Sequence, residues 1–228
     1  MKIIEFPSHD ILYASELVDM WRMSLGARNC TKSEAKMSQE NNAKLLKQCL
    51  EQNPIHWSPF EHSSMTVRFI CDRGVSHELV RHRLASFNQE STRYCNYSNG
   101  RFGSEITVVK PVKLHKDCLE YDIWKKSCEQ AEKAYFDLLE QGVAPQNARA
   151  VLPTCLKTDI IVTANLREWY HIFELRDDRA AHPDMRFMMH DLLLDVANVY
   201  PIVFKDLMIE RNKEFVEDFG HYEKKGEY

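Results

Sequence analysis

Glycine is scarce in this chain, with seven in 228 residues, and their spacing makes neither Gly-x-Gly-x-x-Gly nor a Walker-type loop. A Rossmann fingerprint and a P-loop are therefore excluded as ways of holding phosphate. Long apolar runs are missing too. No stretch approaches the roughly 20 apolar residues of a membrane span, and Met1 to Pro7 lacks the apolar core of a signal peptide. The seven cysteines, at 30, 49, 71, 95, 118, 128 and 155, include no Cys-x-x-Cys pair and are odd in number. That argues against a zinc ribbon or a disulfide framework and for reduced thiols. A cytoplasmic protein with no membrane contact is the expectation. A basic surplus is also absent. The net charge of −4 argues against a protein that coats nucleic acid.

What remains is an ordinary globular balance, 44% hydrophobic and 28% charged. With no repeat, linker or break in composition, one domain over 1–228 is the simplest reading. The expected class is α+β, a small mixed or antiparallel sheet packed by several long helices. Ile3 to Phe6 reads as a strand, and Leu17, Val18 and Trp21 mark an amphipathic helix over Ser15 to Leu25. Asn42 to Gln52 reads as a second helix. Alternation of Met65, Val67 and Phe69 predicts a strand over 63–71, and Asp72-Arg73-Gly74 a turn. Ser76 is a plausible N-cap for a helix over 76–86, with Leu79, Val80 and Leu84 on its buried side. Asn88 to Ser91 reads as its exit loop. A strand over Ile106 to Val109, a helix over 117–141, and a short helix between Pro145 and Pro153 follow. Helices over Asn165 to Arg176 and from Pro183 to Tyr200 come next, and Glu223 to Tyr228 reads as a frayed tail.

The densest chemistry lies between Arg81 and Tyr94. Three guanidiniums, one imidazole, three aliphatic hydroxyls and two amides fall within fourteen residues. Arginine pairs with phosphate oxygens through a planar fork, so this density suggests an anionic ligand. On a helix, Arg81, His82 and Arg83 would fan out by about 100° each and touch different groups. The plain alternative is a solvated basic face. A second constellation is the apolar stripe Leu166, Trp169 and Phe173, which Arg176 extends. An arginine there calls for an anionic or carbonyl partner, and Asp177 or Asp178 would serve. Arg167 and His171, four apart, could reach one ligand together or simply lie at the surface. His77 and His82 are five apart rather than four and do not share a helix face, so no metal is expected. Ser91 has no base placed beside it and reads as a phosphate-binding hydroxyl.

The fourteen residues match Arg-His-Arg-x-x-Ser-x-Asn-x-x-Ser-x-Arg-Tyr at all eight fixed positions. This resembles the signature of the flavin-dependent thymidylate synthases. His56-Trp57-Ser58-Pro59-Phe60-Glu61-His62, Ala148-Arg149 with Leu152-Pro153, and Asn165 and Arg167 through Leu175-Arg176 resemble further elements of that family, in order. The resemblance implies a methyltransferase acting as a homotetramer with active sites shared between subunits. There dUMP becomes dTMP, methylenetetrahydrofolate gives the one-carbon unit, and NADPH reduces bound FAD. By position, Ser58, Arg81, His82, Arg83, Gln89, Asn165, Arg167 and His171 would line the FAD site. Glu78, Leu79, Val80, Arg81, Gln89, Glu90, Ser91, Thr92, Arg93, Arg149 and Arg176 would surround dUMP. Arg176 would be catalytic, stabilising negative charge on the pyrimidine, and His56 would contact folate or flavin. Glu78 stands where glutamine is common, and His171 where some members have asparagine. A nucleotide- or nucleic-acid-binding module without catalysis, and a structural oligomer with a solvated basic helix, are the alternatives from other classes.

Overall fold

Side-chain caps set where several of the helices begin. Ser38 accepts from the backbone N–H of Asn41, Asp72 from that of Val75, and Asn165 from that of Glu168, each satisfying a donor that a helix leaves orphaned. The computed structural model describes residues 1–98 and 103–220. Its strands are β1 (Lys2–Ile4), β2 (Ser8–Tyr13), β3 (Ser64–Asp72), β4 (Ala85–Gln89), β5 (Thr107–Val109) and β6 (Lys157–Asn165). Its helices are α1 (Glu16–Asn29), α2 (Gln39–Glu51), α3 (Arg73–Leu79), α4 (Leu119–Glu140), α5 (Pro145–Ala148), α6 (Leu166–Arg176), α7 (Pro183–Val199) and α8 (Pro201–Phe219). The expected α+β class holds. β1 and β5 form a parallel pair, and a small antiparallel sheet has the order β2-β3-β6-β4.

The chain divides into two compact units. The first comprises Met1–Ser8, Phe69–Arg81 and Phe87–Ile161; the second comprises His9–Arg68, His82–Ser86 and the chain from Val162 onward. In the first, Tyr97, Ile106, Val108, Cys128, Tyr135, Ala148 and Leu156 make a buried core. α4 packs onto it, and Gly142 ends that helix region at φ +79°, a conformation glycine adopts without steric cost.

In the second unit, Leu166, Trp169 and Phe173 are fully buried, as the stripe predicted. The Trp169 indole N–H donates to the Met65 carbonyl at 3.0 Å, so the ring is buried with its polar edge satisfied. The Tyr200 hydroxyl donates to Asp19 at 2.6 Å, which ties the start of α8 to α1. α8 itself and strands β2 and β6 were not foreseen from the sequence.

Several expectations need correction. Asp72-Arg73-Gly74 is not a turn: β3 runs directly into α3, because Asp72 is the cap. Ser76 lies inside that helix, its hydroxyl donating to the Arg73 carbonyl. The helix ends at Leu79 rather than near 86, and Asn88 and Gln89 belong to β4 rather than to a loop. Of its supposed buried side only Leu79 is buried, whereas Val80 is 41% and Leu84 74% exposed. In α1 the inward residues are Met20 and Met23, while Leu17, Val18 and Trp21 face outward. The tail Glu223 to Tyr228 lies outside the described residues.

Candidate active site

Two sets of polar side chains emerge, one in each unit. In the first unit, α3 presents Arg73 and His77, four residues apart and so on one face. Together with Thr92, Arg149, Leu152 and Pro153 they line a cleft of about 290 Å³. The Arg149 guanidinium donates to the Thr92 hydroxyl at 2.8 Å and to the Gln146 carbonyl at 3.1 Å. Thr92 is buried while Arg149 is exposed, so a fixed hydroxyl aims a solvent-facing cation. Arg73 donates to the Glu90 carbonyl and to Thr158 Oγ1 at 3.1 Å, bracing the strand end that carries the motif.

The motif's own side chains divide by role. The Gln89 amide donates to Ser76 Oγ at 2.8 Å and to Thr158 at 3.2 Å. The Glu90 carboxylate accepts from Lys157 at 2.9 Å and from the Tyr97 hydroxyl at 3.1 Å. Burial, and next the charge of Glu90, push the Tyr97 phenol well above its ordinary value. It stays a neutral donor. Leu79 is 1% exposed, so any ligand contact it makes is through its backbone. Glu78 is half-buried, and Val80 and Arg81 are exposed. The Ser91 hydroxyl accepts from the Arg93 backbone N–H at 3.3 Å, and the exposed Arg93 lies over the Tyr94 ring.

In the second unit, His82 and Arg176 come together although 94 residues separate them: Arg176 Nε donates to His82 Nε2 at 3.0 Å. His82 is 5% exposed. Burial, then the charges of Arg176 and His171, lower its ring from 6.5 to about 4, so it is a neutral imidazole at physiological pH. The His171 ring lies 6.1 Å away, edge to face. Asp177 and Asp178, the alternative partners foreseen for Arg176, bind elsewhere: Asp177 to His190 at 2.8 Å, Asp178 to Arg211 at 3.2 Å.

Arg81, His82 and Arg83 do not fan around a helix. They lie in the turn between α3 and β4, where Arg81 and Arg83 are exposed and His82 is buried. Arg167 forms an ion pair with Glu61 at the surface. Ser58 Oγ lies 3.0 Å from His56 Nε2, and Asn165 caps α6. The structure thus brings Thr92 together with Arg149, and His82 with Arg176. It adds Arg73 and His77, which the sequence reading missed because it placed Arg73 in a turn. A helix begun at Asp72 would have set both on one face.

Comparison with known proteins gives a consistent result. Residues 14–202 match the family model for "Thymidylate synthase complementing protein". A flavin-dependent thymidylate synthase of Pyrococcus abyssi is 36% identical over 143 residues, covering 62% of this chain and 58% of that protein. The one from Pyrococcus furiosus is 37% identical over 152 residues, covering 65% and 62%. That of Geobacter sulfurreducens is 35% identical over 152 residues, covering 66% and 64%. The chain thus spans about three-fifths of the length of these curated relatives. Among solved structures, the UMP/dUMP methylase PolB from Streptomyces cacaoi, bound with 5-Br dUMP, superposes with a TM-score of 0.74. It is 23% identical and is covered over 97% of its length by 92% of this chain. At that identity the likeness establishes a shared fold. The family match takes in most of the chain, including both polar sets and the motif that contributes to each. The chain belongs to the thymidylate synthase complementing protein family.

Proposed function

We propose that the protein is a flavin-dependent thymidylate synthase that methylates dUMP to dTMP. The observation that carries this reading is the family match over 14–202, within which the complete motif supplies Thr92, the hydroxyl that aims Arg149 in the cleft. The similarity to relatives bearing that name points the same way. In balanced form, dUMP, methylenetetrahydrofolate, NADPH and a proton give dTMP, tetrahydrofolate and NADP⁺. Because the family match runs through both units, 1–228 is read as one functional domain.

The nucleotide's phosphate suits the cleft. Arg149, held by Thr92, offers a guanidinium to a dianion, and His77 adds a second donor at the same wall. The carboxylate of Glu90 is neutralised by Lys157, so it does not oppose an anionic ligand. Ser91 and Arg93 complete the phosphate side, with Glu78 and the backbone of Leu79 and Val80 nearby in sequence.

For FAD, the donor chemistry of the second unit fits. Arg167 and Arg83 are exposed cations suited to a pyrophosphate, and Ser58, Asn165, His82 and His171 are polar side chains that would line the rest of the cofactor. Arg81 and Gln89 belong to the same proposed set. When bound, FAD carries hydride from NADPH to the one-carbon unit. The protein's own part is to bind, orient and polarise. A buried neutral imidazole accepts from Arg176 Nε and so orients the guanidinium, whose positive charge would stabilise negative charge developing on the pyrimidine.

A homotetramer with shared sites and a cytoplasmic location complete the proposal. Among the described residues no helix is long and apolar enough to cross a membrane. Outward-facing Leu17, Val18, Trp21 and Leu25 on α1, exposed by 45–61%, support assembly, since a strip of this kind is costly to leave wet. The test is direct. Purified protein should carry a yellow chromophore that NADPH bleaches, and should form dTMP from dUMP only when methylenetetrahydrofolate is present. Protein that binds FAD and dUMP and makes no dTMP would defeat the proposal.

A further inference from the structure

Arginine can donate hydrogen bonds and never accept them, which makes the contact between Arg176 Nε and His82 Nε2 informative. Nε2 must carry the lone pair. Because His82 is neutral, its single ring proton then sits on Nδ1. That nitrogen faces Glu168 Oε1 at 3.5 Å. Glu168 is itself only 7% exposed, a costly place for a carboxyl without a purpose. Burial raises its pKa, opposed by His171 and Arg167; whether ionised or protonated, the group keeps an oxygen able to accept.

The helix fixes this arrangement. Glu168 occupies the first turn of α6, where its backbone N–H is capped by Asn165 at 2.8 Å, and Arg176 is the last residue of the same helix. The two are eight residues apart, little more than two turns, so both side chains leave from one side of the rod. His82 bridges them. With the other tautomer, an Nε2–H would confront the Arg176 N–H donor to donor, and the guanidinium would be driven away.

We infer that Glu168 is a positioning residue, accepting from Nδ1–H of His82 and thereby keeping Nε2 as the anchor for Arg176. The inference rests on the proposed role of Arg176 toward substrate, but the lock itself is a property of the protein alone. It gives α6 a second task beyond carrying the arginine: the same helix supplies the group that aims it.

The test uses the full chain with ¹⁵N-labelled histidine, reading the His82 ring nitrogens without substrate and assigning them by their loss in His82→Gln. Wild-type protein should show Nδ1–H. Glu168→Gln retains an acceptor and should keep that tautomer, with turnover reduced by no more than about threefold. Glu168→Met removes the acceptor at similar length. It should populate Nε2–H and lower kcat by about 10- to 100-fold, the scale of a small misplacement of a catalytic group. Its KM for dUMP and its flavin content should change little. An Nδ1–H tautomer that persists in Glu168→Met would overturn the inference whatever the turnover. So would a Gln variant as impaired as the Met variant. Should the Met variant fail to fold, wild-type His82 protonated on Nε2 or on both nitrogens would overturn it equally. A wild type that shows Nδ1–H and makes no dTMP would remove the thymidylate reading and leave the tautomer lock in place.

Discussion

The two polar sets hold their arginines in different ways, and under the proposed function the difference would separate binding from chemistry. In the first unit, Arg149 is exposed and is aimed by a threonine hydroxyl and a carbonyl. It meets water and salt, and is suited to a ligand that arrives with its charge already formed. In the second unit, Arg176 is half-buried against a histidine held neutral by its surroundings. The imidazole orients the guanidinium by accepting from its Nε, in a partly buried setting where charge acts more strongly than in water.

If that contrast is right, removing each arginine should give a different kinetic signature. The largest effect belongs to Arg176→Ala, which should lower kcat by about 10²- to 10³-fold, with a smaller change in KM for dUMP and an unchanged melting temperature. Arg176→Lys should also be poor, since an ammonium lacks the planar fork. Arg149→Ala should instead raise KM for dUMP by about 10- to 100-fold, the value of one or two charge-assisted hydrogen bonds, and leave kcat within a few-fold. Equal losses in kcat from both would erase the distinction.

A smaller effect concerns Thr92, the hydroxyl that aims Arg149. Thr92→Val should raise KM for dUMP by roughly fivefold, about 1 kcal/mol, with kcat unaffected in steady-state assays. The remaining prediction reads pH. His82 is depressed from 6.5 to about 4 on folding, so between those values the unfolded chain binds a proton there that the folded protein does not. Its contribution to stability is therefore complete above about pH 6.5 and lost as pH falls toward 4. Acid unfolding of His82→Gln should show a shallower slope across that window.

Much of this was legible in the sequence, for identifiable reasons. The motif is contiguous, so its eight fixed positions needed no tertiary knowledge. The burial alternation of Met65, Val67, Phe69 and Cys71, and the helix that Asn165 opens, follow from period and capping. Gly74 misled. Its proximity to Asp72 and Arg73 suggested a turn, yet a Cβ there would lie 2.9 Å from Asp72 Oδ1 and 3.2 Å from Thr154 Cγ2. The glycine permits close approach at the start of α3. Strand β6 was hidden because one of its inward positions is Thr158, a buried polar residue, which blurs the apolar alternation. The outward face of α1 has the same composition as a core stripe, and period alone does not say which side a protein buries.

The tie between His82 and Arg176 was beyond reach for another reason. It joins residues 94 apart, and nothing in either local segment names the other. The sequence marked Arg176 as an oddity on an apolar stripe; the structure supplied an imidazole beside it, and with it the neutral character of that ring.

The most direct test is release of tritium from dUMP labelled at carbon 5, measured with FAD-loaded protein, NADPH and methylenetetrahydrofolate. Replacement of that hydrogen is required when a methyl group is installed there. Wild-type protein should release tritium in step with dTMP formation, and Arg176→Ala, still folded and yellow, should release it about 10²- to 10³-fold more slowly. Wild-type protein that binds dUMP and flavin yet leaves the label in place would contradict the assignment.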